Sequence, residues 1–148
     1  MKLYVIILCP ESTCMSGDES EMSKLAFIAI GGAAGALLRY YVSGLTYKYL
    51  EGLFPWGTLV VNMTGCFLIG FLWQIFETIA DSSDMRAFIF VGVLGAFTTF
   101  STFGLETMNL IKEGDYKYAV NNIVVSNILG IVLVFACFVL GRYLINLT

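Results

Sequence analysis

Hydroxyl side chains crowd one short stretch of an otherwise apolar segment, where four fall within five positions. They are Thr98, Thr99, Ser101 and Thr102. Such residues compete with the backbone for hydrogen bonds, and Gly95 stands just before them, so the sequence predicts a local helix break. Non-helical backbone at membrane depth is tolerated only inside protein or beside a cavity, where its freed carbonyls can bind a cation.

Two aromatic rings lie within the same stretch. Phe100 and Phe103 are three positions apart, so they share one face of a helix. They are either bulk that faces lipid or rings whose positive edges are turned towards an anion. The two interpretations differ in whether a polar path runs beside the rings.

Asn62 stands out in the preceding apolar segment, where it shares a helical face with Thr58. Its amide offers two donors and an acceptor, which either hold neighbouring helices together or line a polar path. In the last apolar segment Asn122, Ser126 and Gly130 recur at every fourth position. Together these residues predict a bundle with a donor-bearing polar track.

The first apolar segment combines small residues with one charge. Gly31-x-x-x-Gly35 allows another helix to approach closely. Arg39 continues the same four-residue spacing. It either lies well inside the bilayer beside a partner, a water-filled cavity or an anion, or reaches the membrane surface as an anchor.

The composition places these residues in a membrane. Of 148 residues, 58% are hydrophobic and only 13% are charged, which is more apolar surface than a small soluble domain can bury. Histidine is absent, and the sequence has no nucleophile–base pair or metal-ligand cluster, so an enzyme is not expected. No basic run is present that would indicate nucleic-acid binding.

Four segments are long enough to cross the hydrocarbon core as helices, which takes roughly 20 residues each. They are Leu25–Leu50, Gly57–Phe76, Ala87–Leu105 and Tyr118–Gly141. The short connections are typical of antiparallel neighbours in a bundle. The predicted fold is therefore an all-α membrane protein with four transmembrane helices, the third of them broken, in a domain of residues 24–148.

Residues 1–23 form a separate N-terminal extension. Its polar part, Glu11–Ser23, is predicted to be disordered. An alternative hypothesis is a mis-assigned start, with translation beginning at Met15 or Met22, directly before the first span.

Basic residues are divided almost equally between the two sides of the predicted bundle. One side receives Lys2, Lys24, Arg86 and Arg142, and the other receives Lys48, Lys112 and Lys117. Such a small bias means either that other features orient the chain or that it inserts in both orientations. Insertion in both orientations would permit an antiparallel homodimer.

These polar features, taken in order, resemble the CrcB/Fluc family of fluoride channels. The matching pieces are Gly31-Gly-Ala-Ala-Gly-Ala-Leu-Leu-Arg39-Tyr40, Gly57-Thr-Leu-Val-Val-Asn62-Met-Thr-Gly65, Gly92-x-x-Gly95-x-x-Thr-Thr-Phe-Ser-Thr-Phe103 with Glu106, and Asn122-x-x-x-Ser126-x-x-x-Gly130. The resemblance covers about residues 24 to 146. One piece alone would be a weak signal, whereas four in order are specific.

The resemblance implies an antiparallel, dual-topology homodimer in the plasma membrane that exports fluoride passively through two pores. The implied fluoride path consists of Asn62, Phe100, Phe103, Thr58, Ser101 and Ser126. A structural Na⁺ ion at the dimer interface is implied to bind the backbone carbonyls of Gly95 and Thr98. Arg39 is implied to lie towards the aqueous vestibule.

The alternative is a small dual-topology multidrug or cation transporter, which also has four spans. Such transporters exchange protons for cations at a membrane-embedded carboxylate in the first span. Here the first span carries Arg39, and the only intramembrane acid is Glu106, near the end of the third. The residues therefore favour the channel.

Overall fold

The computed structural model describes residues 19–78 and 83–146. Every regular element in these ranges is helical. The elements are α1 (Glu19–Tyr49), α2 (Trp56–Thr78), α3 (Ser83–Arg86), a π-helix (Ala87–Leu94), α4 (Gly95–Phe97), α5 (Phe100–Lys112) and α6 (Tyr116–Ile145). The third span is thus composite, since it runs from α3 through the π-helix and α4 to α5.

Four helical stretches are long and apolar enough to cross a membrane, which confirms the predicted all-α membrane protein with four spans. Each stretch is longer than the segment that predicted it, and the helices extend into charged residues such as Glu21, Glu77 and Lys112. The last span, for example, begins at Tyr116 and ends at Ile145, so Lys117 and Arg142 lie within it. Charged side chains are tolerated at helix ends because they can reach the aqueous boundary.

The N-terminal prediction is only partly accessible to the structure. Residues 1–18, including Met15, lie outside the described residues. The helix α1 begins at Glu19, so the last part of the stretch predicted to be disordered is helical instead.

Close packing of the first span at its glycines is confirmed. A Cβ atom on Gly31 would lie 2.6 Å from the carbonyl oxygen of Phe88, and one on Gly35 would overlap the carbonyl oxygen of Val93. Both carbonyls belong to the π-helix, which packs against α1. The sequence predicted an approaching helix but not its π form, which is rare and usually confined to a single turn.

The second and fourth spans form the other close pair. Gly70 of α2 packs against the backbone of Val134 in α6, where a Cβ atom would lie 2.5 Å from the carbonyl oxygen. Gly130 of α6 lies against Cys66 of α2. The contact at Gly70 depends on the absence of a side chain, as expected for helices that pack without a hydrophobic driving force.

Candidate functional site

The third span is interrupted where the sequence predicted a break. Thr98 and Thr99 both have extended backbone, with φ/ψ of −78°/156° and −150°/118°. The last helical hydrogen bond before them runs from the N–H of Thr98 to the carbonyl of Leu94, over 3.0 Å. Helix α5 then starts again with Thr99 as its N-cap, whose Oγ1 accepts from the N–H of Thr102 at 3.2 Å. A threonine cap satisfies one of the N–H groups that a helix start leaves unpaired.

Asn62 holds this break from the neighbouring helix α2. Its Nδ2 donates to the carbonyl of Thr99 over 3.1 Å, and its Oδ1 accepts from the N–H of Thr99 over 2.9 Å. The side-chain amide therefore pairs with both backbone groups of one residue. Asn62 thus joins two neighbouring spans, which is one of the two roles that the sequence left open. Its amide also has a second N–H, which this pairing does not use.

Backbone carbonyls at the break lose their usual helical donors. In a continuous helix the N–H of Thr99 would donate to Gly95, but it donates to Asn62 instead. Likewise the N–H of Thr102 would donate to Thr98, but it donates to Oγ1 of Thr99. The break frees the carbonyl oxygens at the end of α4 in general, and Gly95 and Thr98, the pair predicted to hold a cation, are among them.

Two cavities meet at the break. One, of about 310 Å³, is lined by Asn62, Gly95, Thr98 and Phe100 among others. The second, of about 580 Å³, is lined by Arg39, Thr58 and hydroxyl groups of the first and third spans. Thr99 lines both cavities.

Arg39 lines the second cavity. Its side chain is half-buried, and within residues 19–78 and 83–146 no carboxylate forms an ion pair with it. Hydroxyl-bearing Ser43, Tyr47 and Thr58 line the same cavity. The depth of Arg39 in the bilayer, on which the alternatives differ, stays a prediction.

The two phenylalanines contact each other but differ in exposure. Their ring centroids are 5.4 Å apart with an angle of 41° between the planes. Phe100 is 80% exposed, whereas Phe103 is only 8% exposed. Phe100 therefore presents its ring at the subunit surface beside the first cavity, and Phe103 packs beneath it.

The predicted track in the fourth span is a chain of hydrogen bonds. Ser126 donates to Oδ1 of Asn122 at 3.2 Å, and Asn122 donates to Oγ1 of Thr107 at 3.0 Å. Thr107 in turn donates to the carbonyl of Phe103 at 2.8 Å. Sequence reasoning named both ends of this chain but missed Thr107.

The structure divides the remaining predicted residues among separate surroundings. Ser126 lines a third cavity with Asn127 and Cys66, and the last of these also lines the first cavity. Ser101 is exposed and lies beside the N-cap, with its Oγ 3.3 Å from Oγ1 of Thr99. The predicted path residues therefore do not share one cavity within a single subunit.

A cluster around Glu106 was not predicted. Tyr47 and Thr58 both donate to its Oε1, over 2.8 Å and 2.7 Å. Its Oε2 is buried and has no hydrogen-bond partner among the described residues. The acid was noticed in the sequence, but its partners are far away along the chain, so only the packing of the first, second and third spans reveals them.

Comparison with known proteins gives one consistent family. The family described as CrcB-like protein, Camphor Resistance (CrcB), matches residues 26–141. The Fluoride-specific ion channel FluC of Desulforapulum autotrophicum is 48% identical over 120 residues, covering 80% of this chain and 96% of the relative. Proteins of the same name from Parabacteroides distasonis and Salinibacter ruber are 46% and 49% identical, covering 85% and 76% of this chain and 98% and 85% of the relatives. With most of its length matched, the chain belongs to the CrcB family.

Proposed function

We propose that this chain is the subunit of a passive, fluoride-selective ion channel in the plasma membrane. The observation that carries the proposal is the broken third span, where hydroxyl groups, an amide and freed carbonyls meet between two cavities. Its relatives at 46–49% identity are named fluoride-specific ion channels. Together they favour an anion path built beside the break.

The proposed path uses Asn62, Phe100, Phe103, Thr58, Ser101 and Ser126, with Arg39 in the vestibule. Fluoride is small and strongly hydrated, so a pore must replace its water with compact donors such as amide and hydroxyl groups. The guanidinium in the second cavity favours entry of an anion. An inside-negative membrane potential then drives the anion out of the cell without any energy source.

The active form is proposed to be an antiparallel, dual-topology homodimer. In the single subunit the polar residues Ser101 and Asn127 are exposed at membrane depth. Lipid offers no hydrogen bonds to polar groups, so such residues normally face protein or water. A second copy packed on this face would cover them and close the open cavities into paths.

A structural Na⁺ ion is proposed at the centre of this dimer. The chemistry of the donors fits, because the carbonyls of Gly95 and Thr98 have lost their helical N–H donors. A hard cation such as sodium prefers oxygen ligands of this kind. When bound, the ion supplies a positive charge that compensates carbonyl dipoles and holds the two breaks together.

Fluoride efflux from liposomes tests the function. Purified protein is reconstituted in sodium-containing buffer at an inside-negative potential, and release is followed with a fluoride electrode. We expect rapid release of fluoride and little release of chloride from matched liposomes. Fluoride release no faster than from protein-free liposomes would refute the channel, and proton-coupled uptake of an organic cation would favour the transporter.

Orientation is tested separately by cysteine labelling. In a background without native cysteines, Asp115→Cys places a thiol in the loop between α5 and α6. A membrane-impermeant maleimide should label about half of the molecules in intact cells if the chain inserts both ways. Labelling of all molecules, or of none before permeabilisation, would exclude dual topology.

A further inference from the structure

Gly65 of α2 lies directly against the break. A Cβ atom built on it would overlap the Cγ2 methyl group of Thr98, and it would lie 3.6 Å from the Cβ of the same residue. Gly65 is buried. Three residues earlier on the same helix, Asn62 binds the backbone of Thr99. Helix α2 therefore contacts both extended residues of the break, one through an amide and the other through a missing side chain.

The side chain of Thr98 is fixed at two points. Its Oγ1 donates to the carbonyl of Leu94 at 3.0 Å, while its methyl group occupies the space above Gly65. The Cβ of threonine carries oxygen, methyl and hydrogen in a fixed chiral order, so its staggered rotamers only permute these three positions. The single rotamer that turns the hydrogen towards Gly65 also turns the methyl group towards Leu94. A side chain at position 65 must therefore break the hydroxyl bond or move the backbone of Thr98.

We propose that Gly65 is a positioning residue for the ion site. Because Gly65 has no side chain, the Thr98 methyl group can pack directly against it, and this contact holds the Thr98 backbone and its carbonyl in position. The inference rests on the proposed function, in which that carbonyl is a sodium ligand. It adds Gly65, which lines the first cavity, to the residues of the proposed site. The proposal predicts that a Cβ atom at residue 65 is harmful because it meets the Thr98 methyl group, and not because it crowds the helices in general.

The test is a pair of substitutions that create and then relieve this contact. Gly65→Ala adds the Cβ atom, and Thr98→Ser removes the methyl group while keeping the hydroxyl that binds Leu94. Overpacking by one methyl group should lower the thermal midpoint of the purified protein by about 3–10 °C. Fluoride efflux per folded protein should fall about tenfold. The double variant should regain most of both losses.

Sodium-dependent stability gives a readout other than transport. Each protein is melted in detergent with Na⁺ and again with N-methylglucamine, since a ligand that binds only the folded state raises the midpoint. Gly65→Ala should lose about half or more of the sodium-dependent rise, and the double variant should recover it. Gly70→Ala is the matched control, because its Cβ atom would lie 2.5 Å from the Val134 carbonyl, away from the break. That variant should be less stable, should keep its sodium response and should not be rescued by Thr98→Ser.

The outcomes separate this inference from the function. Wild-type protein that releases no fluoride refutes the channel, and a wild type without a sodium response refutes the ion site. In either case the midpoints of the single and double variants still decide whether Gly65 and Thr98 are coupled. The inference is overturned if Gly65→Ala behaves as wild type, if Thr98→Ser does not rescue it, or if Thr98→Ser rescues Gly70→Ala equally. If Gly65→Ala alone does not fold, a folded double variant supports the inference, and failure of both overturns it.

Discussion

Replacing Asn62 by alanine should destabilise the protein more than its modest size suggests. The side chain satisfies the N–H of Thr99 at 2.9 Å and its carbonyl at 3.1 Å, and the extended backbone offers no helical alternative to either group. Two backbone groups left without partners, at roughly 1–2 kcal/mol each, give an expected loss of about 2–4 kcal/mol. The change in size alone would account for a small part of this.

The assay is unfolding of the purified protein in mixed micelles, followed by circular dichroism. Thr64→Ala is the matched control, because that hydroxyl is exposed and donates to a carbonyl of its own helix, Val60. We expect Thr64→Ala to cost less than about 1 kcal/mol. Equal stability of the two variants would refute the role of Asn62 as the brace of the break, and would leave it as a pathway donor alone.

Three further substitutions give distinct expectations. Glu106→Gln keeps an acceptor for its two hydroxyl partners, so it should change the free energy of unfolding by less than about 1 kcal/mol. Glu106→Leu removes the acceptor and should lower the free energy of unfolding by about 1–3 kcal/mol in the same micelle assay. Gly35→Ala should lower the free energy of unfolding by about 1–3 kcal/mol, since its Cβ atom meets the backbone of Val93. Gly32→Ala should leave it unchanged, because nothing lies within 4 Å of that Cβ atom. Equal unfolding midpoints of the two variants would contradict this. Phe103→Ile should lower fluoride efflux from liposomes while the protein still folds, and unchanged flux would remove that ring from the path.

Local features of the chain were largely predictable from sequence. The break at Thr98 and Thr99 followed from clustered hydroxyl residues, and the close approach at Gly31 and Gly35 followed from their spacing. Both depend on residue types within a few positions of each other. The π-helix was not predictable from such local patterns, and its contacts are with another span, since its carbonyls at Phe88 and Val93 meet the glycines of α1.

The site was predicted as a set of residues rather than as an arrangement. Asn62 was recognised as unusual, but its pairing with Thr99 joins two spans and could not be read from either alone. The hydroxyl groups that bind Glu106 lie 48 and 59 positions away along the chain. Sequence spacing gives no measure of such distances until the bundle is assembled.

The interruption of the third span also has an electrostatic consequence. A helix behaves as though it carried about half an elementary charge at each end, positive at its N-terminus and negative at its C-terminus. Helix α4 ends at Phe97 and α5 begins at Phe100, so a negative and a positive terminus face each other inside the membrane. The macrodipoles thus provide fields of both signs without an ionised side chain, which would cost roughly 2.5–3.5 kcal/mol to insert at the helix centre. Restoring a continuous helix would cancel both termini, and the local preference for cations and for anions would disappear together.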